Sequence, residues 1–124
     1  MAKLINLSNH ASSKWEEAQK KDWDKIVDIA FPNVSPTADE EDIKALVDEY
    51  FSKVKQEIDN DTYLYIAGEY TFCYGFIKKL LEEKTNIKGV VIPTTDRVVI
   101  EKQKEDGTIE KVSQFKFVKW RKAL

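Results

Sequence analysis

An α/β fold built on a parallel sheet is what this sequence predicts, and three observations predict it. Short apolar runs rich in Val, Ile and aromatic residues alternate with longer segments in which apolar residues recur at helical spacing. Polar clusters follow the runs: Ser8-Asn9-His10, Gly68-Glu69-Tyr70-Thr71 and Thr94-Thr95-Asp96-Arg97. Near the C-terminus, Asp106-Gly107 separates two β-prone stretches, the pattern of a hairpin with a type I′ turn.

Leu4 to Leu7 reads as the first strand. Ser13-Lys14-Trp15-Glu16 has the Ser-x-x-Glu form of a capping box and opens a short helix through Lys20. Lys25 to Phe31 is the second strand, stopped by Pro32-Asn33 and a loop to Ala38. From Glu40 to Asp59, Ile43, Leu46, Val47, Tyr50, Phe51, Val54 and Ile58 form an apolar stripe, with Thr37 or Asp39 placed to cap the helix. Thr62 to Ala67 is nearly continuously β-branched and aromatic, as suits a central strand covered on both faces. A second strong helix follows Gly68 and runs to about Lys84 on the stripe Phe72, Phe76, Ile77, Leu80 and Leu81. Val90 to Ile92 is the fourth strand. Val98 to Lys104 and Ile109 to Trp120 make the hairpin. A two-residue loop at Asp106-Gly107 pairs Val98 with Phe115 and Ile100 with Ser113, which places Val98, Ile100, Ile109 and Phe115 on one face.

The order β-α-β-α-β-α-β plus hairpin, with right-handed crossovers, is satisfied by strands in the order 2-1-3-4 and the hairpin beyond. The winding then reverses between strands one and three. Ligands of open α/β sheets bind at such a point, outside the carboxyl ends of the strands.

The 124 residues suit one domain, residues 1–124. A 42% hydrophobic and 34% charged composition is that of a folded globular chain. The net charge of -2 supplies no overall field for long nucleic acid or acidic membranes, so an anionic ligand has to be held locally. One cysteine, Cys73, forms no internal disulfide, and no Cys/His cluster has metal-ligand spacing, so no metal or other cofactor is expected. The N-terminus turns polar too early for a signal peptide, and no stretch has transmembrane length; a cytoplasmic protein is the expectation.

Each polar cluster has a functional and a structural reading. Gly68 lets the backbone approach a ligand, and the amides of Glu69, Tyr70 and Thr71 at a helix start form an anion site. Equally, Gly68 serves a tight turn and Glu69 stabilises the positive helix end. Ser8 and Asn9 can donate to phosphate or ribose, and His10, the only imidazole, can exchange protons near neutral pH; the same residues can cap or bond a loop. Thr94 and Thr95 bind a ligand or end a strand, and Arg97 is an anion clamp or a hairpin charge. Cys73 sits on a helix stripe, as a buried thiol does, with no second His to activate it. Trp15, Trp23 and Trp120 can stack on bases or fill a core. Phe115 to Lys122 interleaves aromatic and basic residues, a pattern shared by backbone-binding strands and plain amphipathic ones.

Leu4-Ile-Asn-Leu-Ser-Asn-His10, Gly68-Glu-Tyr-Thr-Phe72, and Thr94-Thr-Asp-Arg-Val-Val99 leading to Phe115-Lys-Phe-Val118 resemble small stand-alone CRISPR-associated proteins related to the CARF (CRISPR-associated Rossmann-fold) and ring-nuclease group. The resemblance covers the whole chain as an order of elements. It implies a Rossmann-like three-layer sandwich, with a four-stranded parallel sheet and a C-terminal antiparallel hairpin. It also implies binding of a cyclic oligoadenylate across a two-fold homodimer, with metal-independent ring cleavage in some relatives. Ser8, Asn9, His10, Thr94 and Thr95 are the positions carried over. The first two clusters depart from a polyphosphate site in having no Lys or Arg. For cleavage, the 2′-hydroxyl would be held in line with the adjacent phosphodiester and the developing charge stabilised, with backbone amides near Gly68 and the hydroxyls of Ser8, Thr71 and Thr94 as donors and His10 and Ser8 as catalytic residues. Two alternatives belong to other classes: a non-catalytic nucleotide sensor or sponge, and an interaction domain that dimerises through its C-terminal hairpin.

Overall fold

Side-chain caps fix where the two long helices begin in the computed structural model, which describes residues 2–124. Strand β1 (Ala2–Ser8) leads through a 3₁₀ turn (Ser12–Lys14) to the single-turn helix α1 (Glu17–Lys20), followed by β2 (Trp23–Ala30), α2 (Glu40–Glu57), β3 (Thr62–Ile66), α3 (Tyr70–Glu82), β4 (Gly89–Gln103) and β5 (Ile109–Lys122). Asp39 caps α2 in a reciprocal box: its carboxylate accepts from the Asp42 amide at 3.1 Å, and the Asp42 carboxylate accepts from the Asp39 amide at 3.2 Å. Thr37 is not the cap; its hydroxyl pairs with that of Ser35. The expected box at Ser13 does not form either. The chain makes the 3₁₀ turn there, and the Glu16 carboxylate instead accepts from the Phe117 amide at 2.9 Å.

One five-stranded sheet runs in the order β2-β1-β3-β4-β5. β1 pairs in parallel with both β2 and β3, whereas β3 and β4 share only two parallel partners, Tyr63↔Gly89 and Leu64↔Val90. β4 and β5 are antiparallel along their length. The fold is therefore mixed α/β, mostly parallel, with an antiparallel C-terminal pair.

Strand alternation divides the buried side chains between two faces. Ile5, Leu7, Leu64 and Val90 face α2 and α3 and pack with Val47, Phe51, Val54, Phe72, Phe76 and Leu80. Leu4, Tyr65 and Val91 face the other way, against Trp15, Trp23, Tyr63 and Trp120. On the first face Phe31 meets the ring of Phe72 at 5.0 Å and lies so close to Gly68 that a Cβ there would sit 2.4 Å from the Phe31 ring. The tight approach of the β3–α3 turn to the core is what requires glycine.

Two expectations about the C-terminal third are corrected. The fourth strand and the first hairpin strand are one 15-residue strand, so Thr94-Thr95-Asp96-Arg97 lies inside β4 and not in a loop at its end. The turn is not type I′: of its residues only Gly107 has positive φ (+86°), and Gly107 N–H donates to Lys104 C=O at 3.0 Å while Lys104 N–H donates to Thr108 C=O at 2.8 Å. This is a three-residue loop with glycine in the left-handed position. The extra loop residue moves the register by one. Val98 pairs with Gln114, Ile100 with Val112 and Arg97 with Phe115. Phe115 and Ile109 therefore lie on the opposite face from Val98 and Ile100.

A bulge interrupts the pairing: Thr94 opposes Lys119 but Thr95 opposes Phe117, leaving Val118 as the additional residue of β5. Beyond the bulge β4 and β5 form a two-stranded arm whose residues are mostly exposed.

Candidate functional site

The crevice at the carboxyl ends of β1 and β3 is built from the β1 loop, the short helical segment and the base of the arm. It is a cavity of about 640 Å³. Asn9, His10, Ala11 and Lys14 form one wall; Pro93, Thr95, Phe115 and Phe117 form the other; Trp15, Glu16, Gln19 and Tyr65 close the remaining sides. Of the sequence candidates, the structure brings together Asn9, His10 and Thr95 here. The aromatic rings are fixed against one another: Trp15 lies 6.1 Å from Tyr65 and 5.6 Å from Trp120, and Phe117 lies 5.8 Å from Trp120, centroid to centroid. Their tilted geometries suit aromatic quadrupoles. Burial pushes the Tyr65 hydroxyl above the usual phenol range, so it stays protonated at the base of the cavity.

The β1 loop is held by a polar network centred on Asn6, a residue absent from the sequence candidates. Asn6 is 1% exposed. Its Nδ2 donates to the His10 carbonyl at 2.9 Å and to Asp28 Oδ1 at 3.0 Å. Its Oδ1 accepts from Ser8 Oγ at 2.6 Å, and Ser8 Oγ in turn accepts from the His10 amide at 3.2 Å. Asp28 Oδ2 accepts from the amide (3.2 Å) and hydroxyl (2.9 Å) of Ser12, and Trp15 Nε1 donates to the His10 carbonyl at 3.1 Å. The backbone of His10 is thus pinned from three sides, while its imidazole remains exposed in the crevice. Ser8 is 4% exposed and its hydroxyl is engaged in holding the loop.

The second cluster lies elsewhere. Glu69 caps α3 with its own side chain, accepting from the Thr71 amide at 2.9 Å and the Phe72 amide at 2.8 Å. Those backbone bonds, Phe72 first and Thr71 second, hold its carboxyl below the usual carboxylate range. The helix-end amides therefore carry an intramolecular anion. Thr71 faces the groove between α2 and α3, and Tyr70 an apolar depression with Tyr74, Ile92 and Leu124. Neither they nor Gly68 and Glu69 line the crevice.

Thr94 Oγ1 donates to the Lys119 carbonyl at 3.0 Å and accepts from the Lys119 amide at 3.2 Å, and so closes the ladder at the bulge. Arg97 lies on the arm face that continues the crevice, its Nε and Nη2 donating to Ser113 Oγ at 3.1 and 2.9 Å. Cys73 is half-buried; burial, then the charge of Glu69, raises its thiol above the ordinary range and keeps it a poor nucleophile. Trp23 packs in the second core, and Trp120 donates Nε1–H to the Gln19 carbonyl at 3.0 Å while packing against Tyr65.

Residues 2–121 match the Uncharacterized protein MJ1673 family. The chain belongs to this family. No curated protein and no solved structure matches it. Among the described residues of this MJ1673-family chain, no helix is long and apolar enough to cross a membrane.

Proposed function

We propose that the crevice binds an adenine nucleotide ligand, a cyclic oligoadenylate of CRISPR antiviral signalling, with the sheet and its flanking segments acting as a Rossmann-like, CARF-like domain. One observation carries this reading: Asn9, His10 and Thr95 share one cavity with Trp15, Tyr65 and Phe117. Aromatic side chains stack on bases, and the neighbouring amide, imidazole and hydroxyl supply hydrogen bonds to base edges, ribose or phosphate. A volume near 640 Å³ is in the range of small-ligand sites. Lys14 adds a cation at the rim. The homodimer implied by the resemblance would present two such crevices to one ring.

Sequestering or sensing is the form of the activity that the geometry favours over fast cleavage. Ser8 is committed to Asn6 and His10, whereas the His10 imidazole is exposed in the crevice and can transfer a proton there. For slow ring opening, His10 would accept the proton of a ribose 2′-hydroxyl as that oxygen bonds to the adjacent phosphorus and the P–O5′ bond breaks, and the imidazolium so formed, or water, would give a proton to the departing 5′-oxygen. Incubation with cyclic tetra- and hexa-adenylate in chelator decides. Tight binding with the ligand recovered intact identifies a sensor or sponge; linear product lost in His10→Ala identifies a ring nuclease; no binding removes the reading.

A further inference from the structure

We propose that the arm carries a second nucleotide subsite, in which Phe115 stacks a base and Arg97 holds the phosphate that joins it to the nucleotide in the crevice. This inference rests on the nucleotide reading of the crevice. It requires a ligand of at least two nucleotides.

Phe115 is 68% exposed although it lies beside the half-buried Phe117 on the same side of β5. The aromatic wall of the crevice therefore does not stop at its mouth: Phe117 and Phe115 continue the row from Trp120 in the second core out onto the arm. Arg97 is the direct cross-strand partner of Phe115 and so shares its face. Two of its five N–H groups are spent on Ser113, which fixes the guanidinium, and among the described residues it makes no ion pair. An oriented guanidinium with free donors beside an exposed ring suits a phosphate next to a stacked base.

The spacing sets the conformation of the ligand. Residues two apart on a strand are separated by about 6.8 Å, roughly twice the ~3.4 Å rise of stacked bases. Bases on Phe117 and Phe115 would therefore be splayed, the arrangement in which single-stranded nucleic acid is recognised.

The test compares AMP, linear diadenylate, linear tetra-adenylate and cyclic tetra-adenylate on the full chain, read by tryptophan fluorescence, which Trp15 supplies in the crevice with Trp120 packed against it. Diadenylate is expected to bind on the order of tenfold more tightly than AMP, since one stacked base carries that much or more. Arg97→Gln should erase that gain and leave AMP within about twofold; Phe115→Ala should erase it too, while Phe115→Tyr restores it. Both side chains are exposed, and circular dichroism checks that the variants fold. AMP binding with no gain on lengthening, or a gain insensitive to both variants, overturns the second subsite and leaves the crevice reading standing. Failure of every adenylate to bind overturns both.

Discussion

Glu69 decides what the N-terminus of α3 can do, because its carboxylate takes the two amides that a ligand would need. Its folded pKa lies below the ordinary value, so its contribution to stability is fully present above the ordinary carboxylate pKa and is lost as pH falls through the lowered one. Glu69→Gln should accordingly lower the melting temperature by a few degrees at neutral pH, with the difference from the parent chain shrinking toward zero in acid. A difference that persists unchanged below the folded pKa would mean that the cap acts other than through its charge. Sequence alone left this residue between two roles, since Gly-Glu before a helix fits an anion site and a self-cap equally well. Asn6 was legible in a different sense. A lone amide in the run Leu4-Ile5-Asn6-Leu7 is a polar group on a buried strand, and such groups are bonded; its partners on Ser8, His10 and Asp28 depended on a loop conformation that spacing does not specify.

At the scale of elements, the two long helices and the first three strands were readable because each has a period of its own and a nearby stop, whereas the single turn of α1 has no period and the box expected at Ser13 is replaced by a 3₁₀ turn. Asn60-Asp61 lies just beyond α2, which stops at Glu57, while Pro32 follows β2 and Gly68 follows β3. The C-terminal third misled for a physical reason. Thr94 to Arg97 looks polar enough to end a strand, yet each of its residues has a partner on β5 on either side of the bulge, and polar residues suit a two-stranded ribbon with little packed over it. The turn residues Asp106-Gly107 fit both a two- and a three-residue loop, and that single residue decides which side of the arm Phe115 occupies. The arm is also the least supported part of the chain, since an isolated ribbon is marginal in water. Native-state hydrogen exchange should show Val99 to Val112 losing protection orders of magnitude sooner than the β1 and β3 amides. Equal protection in arm and core would mean that the arm is covered by a partner in solution.

Across the whole molecule, charge limits how a polyanion is held. The net charge is -2, and the cations that the two proposed subsites can offer are Lys14 and Arg97. Two phosphate contacts correspond to a slope of about -1.4 in a plot of log affinity against log salt, at ~0.7 per contact for single strands. A slope several times steeper would place the ligand on the basic side chains Lys116, Lys119 and Arg121, which point away from the crevice.

Val118, an exposed residue, decides where the rings on either side of it face. Because it adds one step to β5 and none to β4, Phe117 and Trp120, three positions apart, come to look in the same direction, which strict two-step alternation forbids. Shortening the chain by that one residue would turn either the indole out of the interior or both phenylalanines toward the α3 side. The continuity between the molecule's anchored body and its projecting tongue is held at a single supernumerary amino acid.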